Sequence, residues 1–202
     1  MVVSFLLLIL ALSNKRIMRK LIIGYDQDCE SPRTYSDHYT KIFSAHRNVR
    51  GDVQAEGGYR SLHAEYLAKC GNDNIELPIY LYEHGGIALN TTGFNCSWDS
   101  GQLGYIFAPK NVIRKEFGWK KLTPERIERI KTYMRNEVEL FSKWLNGEVY
   151  YYLVEDEDGE TIDSLSYLFN KEDIIDNLII EGHFNQEEVD DIVDEAFKNI
   201  KF

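Results

Sequence analysis

The spacing of apolar residues along the chain predicts both strands and helices. Short apolar and aromatic runs predict strands at Lys20–Tyr25, Lys41–His46, Leu77–Tyr82, Ile87–Asn90, Gln102–Ala108, Glu148–Val154 and Thr161–Phe169. Gly85-Gly86 and Asp158-Gly159 each separate two of these runs, and both dipeptides are typical of hairpin turns. We therefore expect two hairpins, with the three strands between Leu77 and Ala108 at the centre of a sheet.

Helical spacing is clearest between Thr123 and Gly147. Apolar residues recur there every three or four positions, at Ile127, Ile130, Met134, Val138, Phe141 and Leu145. Thr123 suits an N-cap, Pro124 suits the first turn, and Asn146-Gly147 suits the end of a helix. We expect this long helix to pack its apolar face on the sheet.

Capping residues predict further helices before and after the long one. Ser61 is placed to cap a helix of about three turns that ends at Gly71. Near the C-terminus, Asn170 precedes two acidic residues, and Asn185 and Glu188 have the spacing of a capping box. The predicted fold class is α+β, with a mainly antiparallel sheet, one long packing helix and an acidic helical C-terminal tail.

These elements divide the chain into three parts. We expect an apolar extension outside the fold at residues 1–18, an α+β domain at residues 19–169 and the acidic tail at residues 170–202. The apolar run Val2–Leu12 is shorter than the roughly 20 residues of a membrane-spanning helix, so no membrane span is predicted. A secretory signal with Ala11-Leu12-Ser13 as its cleavage site is the alternative, although the basic residues follow the run instead of preceding it.

Charge is spread unevenly along the chain. The net charge of -10 argues against general nucleic-acid binding, which depends on Lys and Arg to neutralise phosphates. Lys110–Lys143 contains ten basic and five acidic residues, whereas Lys171–Phe202 contains three basic and ten acidic residues. Two solvated helical faces of opposite sign are the simpler interpretation. The sharper hypothesis is that the acidic tail presents a field like that of nucleic acid to a basic partner.

The three cysteines, Cys29, Cys70 and Cys96, are far apart in the sequence. They form neither a CxxC redox pair nor a four-cysteine zinc site. An odd number of cysteines fits the reduced thiols of the cytoplasm, which is the expected location.

Two segments of the chain are distinctive: LPIYLYEHGG at Leu77–Gly86 and NTTGFNCSWDSGQ at Asn90–Gln102. They resemble the LPLYLYDHSG and NTTGFSCPWDSGQ-like segments of a family of proteins encoded by bacteriophages and bacterial mobile elements. The resemblance extends from Arg19 through Phe169. It implies a bacterial or phage cytoplasmic setting, and the family has no established activity to transfer to this chain.

The sequence departs from that family at two positions of these segments. Gly85 stands where the relatives tend to carry serine, and Ser97 stands where they tend to carry proline. The first departure weakens the idea of a serine nucleophile beside His84.

The loop of residues 84–102 carries the candidate catalytic residues His84, Cys96, Asp99 and Ser100. Cys96 would be a nucleophile, His84 its base and Asp99 the group that orients the base. No GxSxG motif accompanies the Glu83–Gly86 segment, which is only weakly similar to an oxyanion-hole motif.

The same loop carries the candidate binding residues Asn90, Thr92, Trp98 and Gln102, and loops on a rigid sheet often carry function. The simpler interpretation, which the pattern favours, is a hydrogen-bonded loop packed under Trp98. In that interpretation Cys96 is a small buried apolar residue.

Asp26, Asp28 and Glu30 are the candidate metal ligands. They alternate just after a predicted strand, and carboxylate oxygens suit Mg²⁺ or Ca²⁺, so the cofactor would be a divalent metal. The segment is not an EF-hand, because Ser31 occupies the sixth position. Aspartates that stabilise a turn are the simpler interpretation.

Arg33, His46, Arg47 and Arg50 form a small basic group in the sequence. Arginine side chains of this kind suit a phosphate or a carboxylate. Solvation at the surface is the simpler interpretation.

Two classes of function remain open from the sequence. The first is a non-enzymatic interaction or accessory protein of a phage or mobile element, whose partner would be a host or defence protein. The second is a small enzyme, or a nucleotide- or metal-binding protein, that uses the loop 84–102.

Overall fold

The structure is a computed structural model that describes residues 19–34, 38–57 and 59–200. These residues form eight strands and five α-helices, so the α+β class is confirmed. The strands are β1 (Lys20–Tyr25), β2 (Lys41–Ser44), β3 (Val53–Gln54), β4 (Asn74–Glu83), β5 (Ile87–Asn90), β6 (Ser100–Pro109), β7 (Tyr150–Glu155) and β8 (Thr161–Leu168). The helices are α1 (Leu62–Cys70), α2 (Lys110–Glu116), α3 (Pro124–Leu145), α4 (Lys171–Ile180) and α5 (Val189–Lys198), and Tyr59–Ser61 forms a 3₁₀ turn.

The described residues form two compact units. We call residues 28–148 the central unit, and we call residues 1–27 together with 149–202 the terminal unit. The long predicted helix α3 lies in the central unit. The acidic C-terminal helices belong to the terminal unit.

The central unit contains a five-stranded sheet in the order β3-β2-β6-β4-β5. β2 and β3 are parallel, and all the other pairs are antiparallel. The predicted hairpin between β4 and β5 is confirmed, with Glu83 paired to Ile87. The expectation that β5 belongs to the centre of the sheet is wrong, because β5 is an edge strand and β6 is the middle one.

The two faces of this sheet carry different apolar clusters because side chains alternate along a strand. Ile42 and Ile106 join the core that contains Ile130, Met134, Val138 and Phe141 of α3. The next residue in each strand, Phe43 or Phe107, points the other way and packs with Leu62 and Tyr66 of α1. The predicted packing of the long helix on the sheet is therefore confirmed.

Helix α3 begins and ends where its capping residues predict. Thr123 precedes the helix with an extended backbone, and its side chain accepts a hydrogen bond from the backbone N–H of Arg126 at 3.4 Å. Pro124 occupies the first turn, where its missing N–H costs no helical hydrogen bond. Asn146 follows the last helical residue.

The terminal unit contains the antiparallel sheet β1-β7-β8, with β7 in the middle. Ile23, Tyr152 and Val154 of this sheet pack with apolar residues of α4 and α5, namely Ile174, Leu178, Val189, Val193 and Ala196. The predicted hairpin between β7 and β8 is confirmed. The side chain of Asn170 caps α4 by accepting a hydrogen bond from the N–H of Asp173 at 2.7 Å.

A partly buried group of polar side chains in the terminal unit is centred on Asp163. Its carboxylate accepts a hydrogen bond from the Tyr152 hydroxyl at 3.0 Å and lies 2.8 Å from Nε2 of His183. Burial, followed by the effect of the Asp163 hydrogen bond, raises the pKa of Tyr152 well above its ordinary value. This group connects β7 and β8 to the segment that follows α4.

Three local features differ from the sequence-based expectations. The helix α2 was not predicted, because its apolar residues are too few to set a period. The strand β3 has only two residues, too few for any alternation to be visible. Ser61 occupies the N-cap position of α1 without capping it, since its hydroxyl instead donates to Glu65 at 2.6 Å.

The apolar run Val2–Leu12 lies outside the described residues, so the predicted extension stays a prediction. Within the described ranges, no helix has the length and apolar character that crossing a membrane requires.

The hydroxyl of Tyr66 in the central unit is held by two hydrogen bonds. Its ring is fully buried and stacks on Tyr105 at a centroid distance of 4.4 Å. Its hydroxyl donates a hydrogen bond to Glu76 and accepts one from Asn74 at 3.0 Å. Burial, and then the hydrogen bond to Glu76, raise the pKa of Tyr66 far above its ordinary value of 10.0.

This raised pKa predicts a loss of stability at alkaline pH. Above about pH 10 the unfolded chain releases the phenol proton while the folded chain keeps it, so stability falls by about 1.4 kcal/mol per pH unit. Tyr66→Phe removes this contribution. We expect the stability advantage of the wild type over Tyr66→Phe to shrink between about pH 9 and about pH 11, as measured by urea unfolding. An advantage that is equal at both pH values would contradict the assignment.

Gly104 lies where β6 approaches β2 closely in the central sheet. A Cβ placed at Gly104 would lie 1.8 Å from the backbone oxygen of Phe43 in β2, and backbone cannot move aside. Gly101 lies in the same strand, and a Cβ there would meet nothing within 4 Å.

We therefore expect Gly104→Ala to lower the free energy of unfolding by about 3 kcal/mol, the upper end of the cost of overpacking. Gly101→Ala is the matched control and should be neutral or slightly stabilising, because alanine suits a strand better than glycine. Urea unfolding of both variants measures the difference. Equal stabilities for the two variants would show that β2 and β6 are not paired at Gly104.

Candidate functional site

The loop of residues 91–99 crosses one face of β4 on its way from β5 to β6. Ile79 and Leu81 of β4 join the core under α3, so Tyr80 and Tyr82 lie on the opposite face. Gly93 lies against the Tyr80 ring, and the Phe94 ring is 5.6 Å from that of Tyr82. The loop therefore rests on two tyrosines of a central-unit strand.

Asn90 fastens the first half of the loop. Its side-chain oxygen accepts hydrogen bonds from the backbone N–H groups of Thr92 at 3.1 Å and Gly93 at 2.7 Å. Its side-chain NH₂ donates to the backbone oxygen of Gly93 at 2.9 Å. Gly93 has a φ of 91°, which glycine adopts without strain. One side chain thus fixes the turn that starts the loop.

A second set of hydrogen bonds fastens the end of the loop. The hydroxyl of Ser100 donates to the backbone oxygen of Cys96. The backbone N–H of Glu83 in β4 donates to the backbone oxygen of Asp99 at 2.9 Å. The conformation of the loop is therefore set at both ends before any ligand binds.

The candidate catalytic residues are close together, but their order differs from a nucleophile, base and orienter. Oδ2 of Asp99 lies 3.6 Å from Sγ of Cys96 and 3.5 Å from Nδ1 of His84. Asp99 is therefore the residue that contacts both of the others. A reactive thiolate is stabilised by neighbouring positive charge, and the group beside this thiol is a carboxylate.

Trp98 does not cover the loop. Its side chain is 94% exposed, the largest exposure among the large apolar residues that the structure describes. The interpretation of the loop as packed under Trp98 is therefore wrong, and Cys96 is only half-buried. The hydrogen bonds that brace the loop on either side leave the indole in solvent.

The other candidate binding residues differ in what they offer to a ligand. Asn90 uses its amide within the loop, and the amide of Gln102 donates to the backbone oxygen of Gly104 at 3.3 Å. Thr92 is exposed. Trp98 and Thr92 are thus the two candidates that face solvent.

Two of the three candidate metal ligands, Asp26 and Glu30, accept hydrogen bonds from other residues of the chain. The carboxylate of Asp26 accepts a hydrogen bond from the N–H of Tyr167 at 3.3 Å, and that of Glu30 accepts one from the Thr34 hydroxyl at 3.2 Å. Asp28 lies in the turn that follows β1. Across the described parts of the chain, no three His, Cys, Asp or Glu side chains are grouped to hold a metal ion.

Arg33 is not a solvated surface residue, because its side chain is only 8% exposed. Its guanidinium forms ion pairs with Asp52 at 2.7 Å and with Glu137 of α3. It also donates to the backbone oxygen of Thr40 at 2.9 Å. The expectation of surface solvation is therefore wrong for Arg33, and its two carboxylate partners had no signal in the sequence.

The two units differ in net charge. Residues 1–27 and 149–202 contain seven basic and 17 acidic residues, a net charge of -10. Residues 28–148 contain 16 of each, a net charge of zero. The loop with Trp98 therefore belongs to the neutral unit.

Comparisons of this chain with protein-family models, with curated proteins and with solved structures find no match.

The bracing by Asn90 predicts how the loop responds to mutation. Asn90→Ala removes three hydrogen bonds, so we expect a loss of stability of about 1–3 kcal/mol and faster hydrogen exchange at the N–H groups of Thr92 and Gly93. Asn95→Ala changes an exposed asparagine of the same loop and is the matched control. Hydrogen exchange followed by NMR measures both variants. Unchanged protection of Gly93 in Asn90→Ala would contradict the bracing role.

Proposed function

We propose that this chain is a non-enzymatic interaction protein whose partner protein binds the loop of residues 91–99 and encloses Trp98. The observation that carries the proposal is the 94% exposure of Trp98 on a loop fixed by hydrogen bonds at both ends. Tryptophan is among the residues most enriched at the energetic centres of protein interfaces.

The chemistry of the indole defines the partner. An indole offers a large flat apolar surface and one N–H donor. The matching surface is an apolar pocket with a hydrogen-bond acceptor, such as a backbone carbonyl, at its rim. A partner protein that presents this pocket would remove Trp98 from water.

The rigidity of the loop supports a binding role. Ordering a flexible loop on binding subtracts from affinity, and a loop that is already ordered avoids this loss. The bonds made by Asn90 and Ser100 order the loop in the free chain. The internal bonds are therefore an advantage for binding.

The positions of the candidate catalytic residues support binding over catalysis. A base that activates a thiol must be within hydrogen-bond reach of it. Cys96 instead contacts Asp99, and the His84 side chain is 72% exposed. We therefore place the loop in a binding surface, and the small-enzyme alternative has less support.

The resemblance to phage and mobile-element proteins supports a bacterial host or defence protein as the partner. The charge of the terminal unit suits a partner with a basic surface, since opposite net charge accelerates association. Such steering acts on the association rate and is screened by salt. A salt titration of that rate therefore distinguishes a basic partner from a neutral one.

The test is affinity capture from bacterial lysate with the full chain, followed by measurement of Kd with the purified partner. We expect Trp98→Ala to weaken binding about 30-fold or more, because an anchor tryptophan contributes about 2 kcal/mol or more. Ile180→Ala, at an apolar residue that is 76% exposed in the terminal unit, should leave Kd unchanged. Cys96→Ala and His84→Ala should retain most of the affinity.

Two results would reject the proposed function. One is a wild-type chain that retains no protein reproducibly under conditions where it is folded. The other is a partner that Trp98→Ala binds as tightly as the wild type does.

A further inference from the structure

The central unit contains a cleft of about 420 Å³ that is separate from the loop with Trp98. One wall is apolar and comes from the last turns of α3, with Phe141, Trp144 and Leu145. The lining also includes polar and charged residues, among them Asn48, Arg50 and Asp52. The volume is within the range of about 300–1,000 Å³ that small-molecule sites occupy.

The apolar wall is held in a fixed orientation. The indole N–H of Trp144 donates to the backbone oxygen of Cys29 at 3.1 Å. The rings of Trp144 and Phe141 are almost parallel, with an interplanar angle of 8° and centroids 5.9 Å apart. A fixed aromatic wall of this kind favours a flat ring as the ligand.

Arg33 helps to hold the cleft in shape and is not a free cation for a ligand. It lines the cleft together with Asp52, and its single positive charge is paired with two carboxylates, those of Asp52 and Glu137. Its Nε is buried and has no hydrogen-bond partner among the described residues. A buried donor without a partner is costly.

Among the described residues that line the cleft, Arg50 is the cation without a carboxylate partner. It lines the cleft, is exposed, and forms an ion pair with none of the carboxylates in the described ranges. A guanidinium binds a phosphate or carboxylate with two parallel hydrogen bonds. Asn48 adds amide groups to the lining of the cleft.

We infer that this cleft binds a small molecule with a flat aromatic ring and an anionic group. The ring lies against Trp144, and the anion is held by Arg50. The anionic group is the phosphate of a nucleotide or the carboxylate of an aromatic acid, since a guanidinium recognises both.

The test is isothermal titration calorimetry of the full chain with adenosine 5′-monophosphate, 2-naphthoate, adenosine and inorganic phosphate. We expect saturable binding of the nucleotide or the naphthoate, and the one that binds identifies the source of the anion. Adenosine and inorganic phosphate each lack one half of the recognised chemistry and should bind at least about tenfold more weakly.

Arg50→Gln and Arg47→Gln form a matched pair for the same measurement. Both residues are exposed arginines of one loop, and only Arg50 lines the cleft. We expect Arg50→Gln to raise Kd about tenfold or more and Arg47→Gln to leave it unchanged. Trp98→Ala should not affect this Kd, which separates the cleft from the proposed protein interface.

Three results would overturn the inference. The first is the absence of saturable binding by both the nucleotide and the naphthoate. The second is an unchanged Kd in Arg50→Gln. The third is an equal loss in Arg47→Gln, which would indicate attraction to general surface charge.

Discussion

The pairing of β6 with β2 on one side and β4 on the other is the constraint on which the central unit depends. The close approach at Gly104 lets β2 pair with β6, and β2 leads into the loop that supplies Asn48 and Arg50 to the cleft. The pairing with β4 fixes the end of the loop that carries Trp98. Both proposed sites are therefore consequences of where one strand lies in the sheet.

The parts of the fold that the sequence predicts are those with local signals. The cap at Thr123 and the apolar period of α3 lie within one segment, as do the turns of the two hairpins. Residues that are close in sequence come into contact with little loss of chain entropy. A local sequence pattern therefore predicts the local structure well. The bounds of β4 and β6 were predicted too short because polar residues extend both strands.

The features that the sequence does not predict depend on distant residues. Arg33 and Glu137 are 104 positions apart, and only the packing of α3 on the sheet brings them together. The loop 84–102 is rich in polar residues, but their pattern did not reveal that Asp99 contacts both Cys96 and His84. The sequence also does not predict the exposure of Trp98. An apolar residue looks the same in the sequence whether other residues cover it in the fold or not.

The net charge and the exposed tryptophan lie in different units, and they contribute to binding in different ways. Attraction between net charges acts at long range and mainly sets how fast partners meet, whereas burial of an indole acts at contact and mainly sets how slowly they part. The terminal unit carries the whole net charge of -10, while the loop with Trp98 belongs to a unit of zero net charge. High salt should therefore slow association with a basic partner and leave the contribution of Trp98 to dissociation almost unchanged.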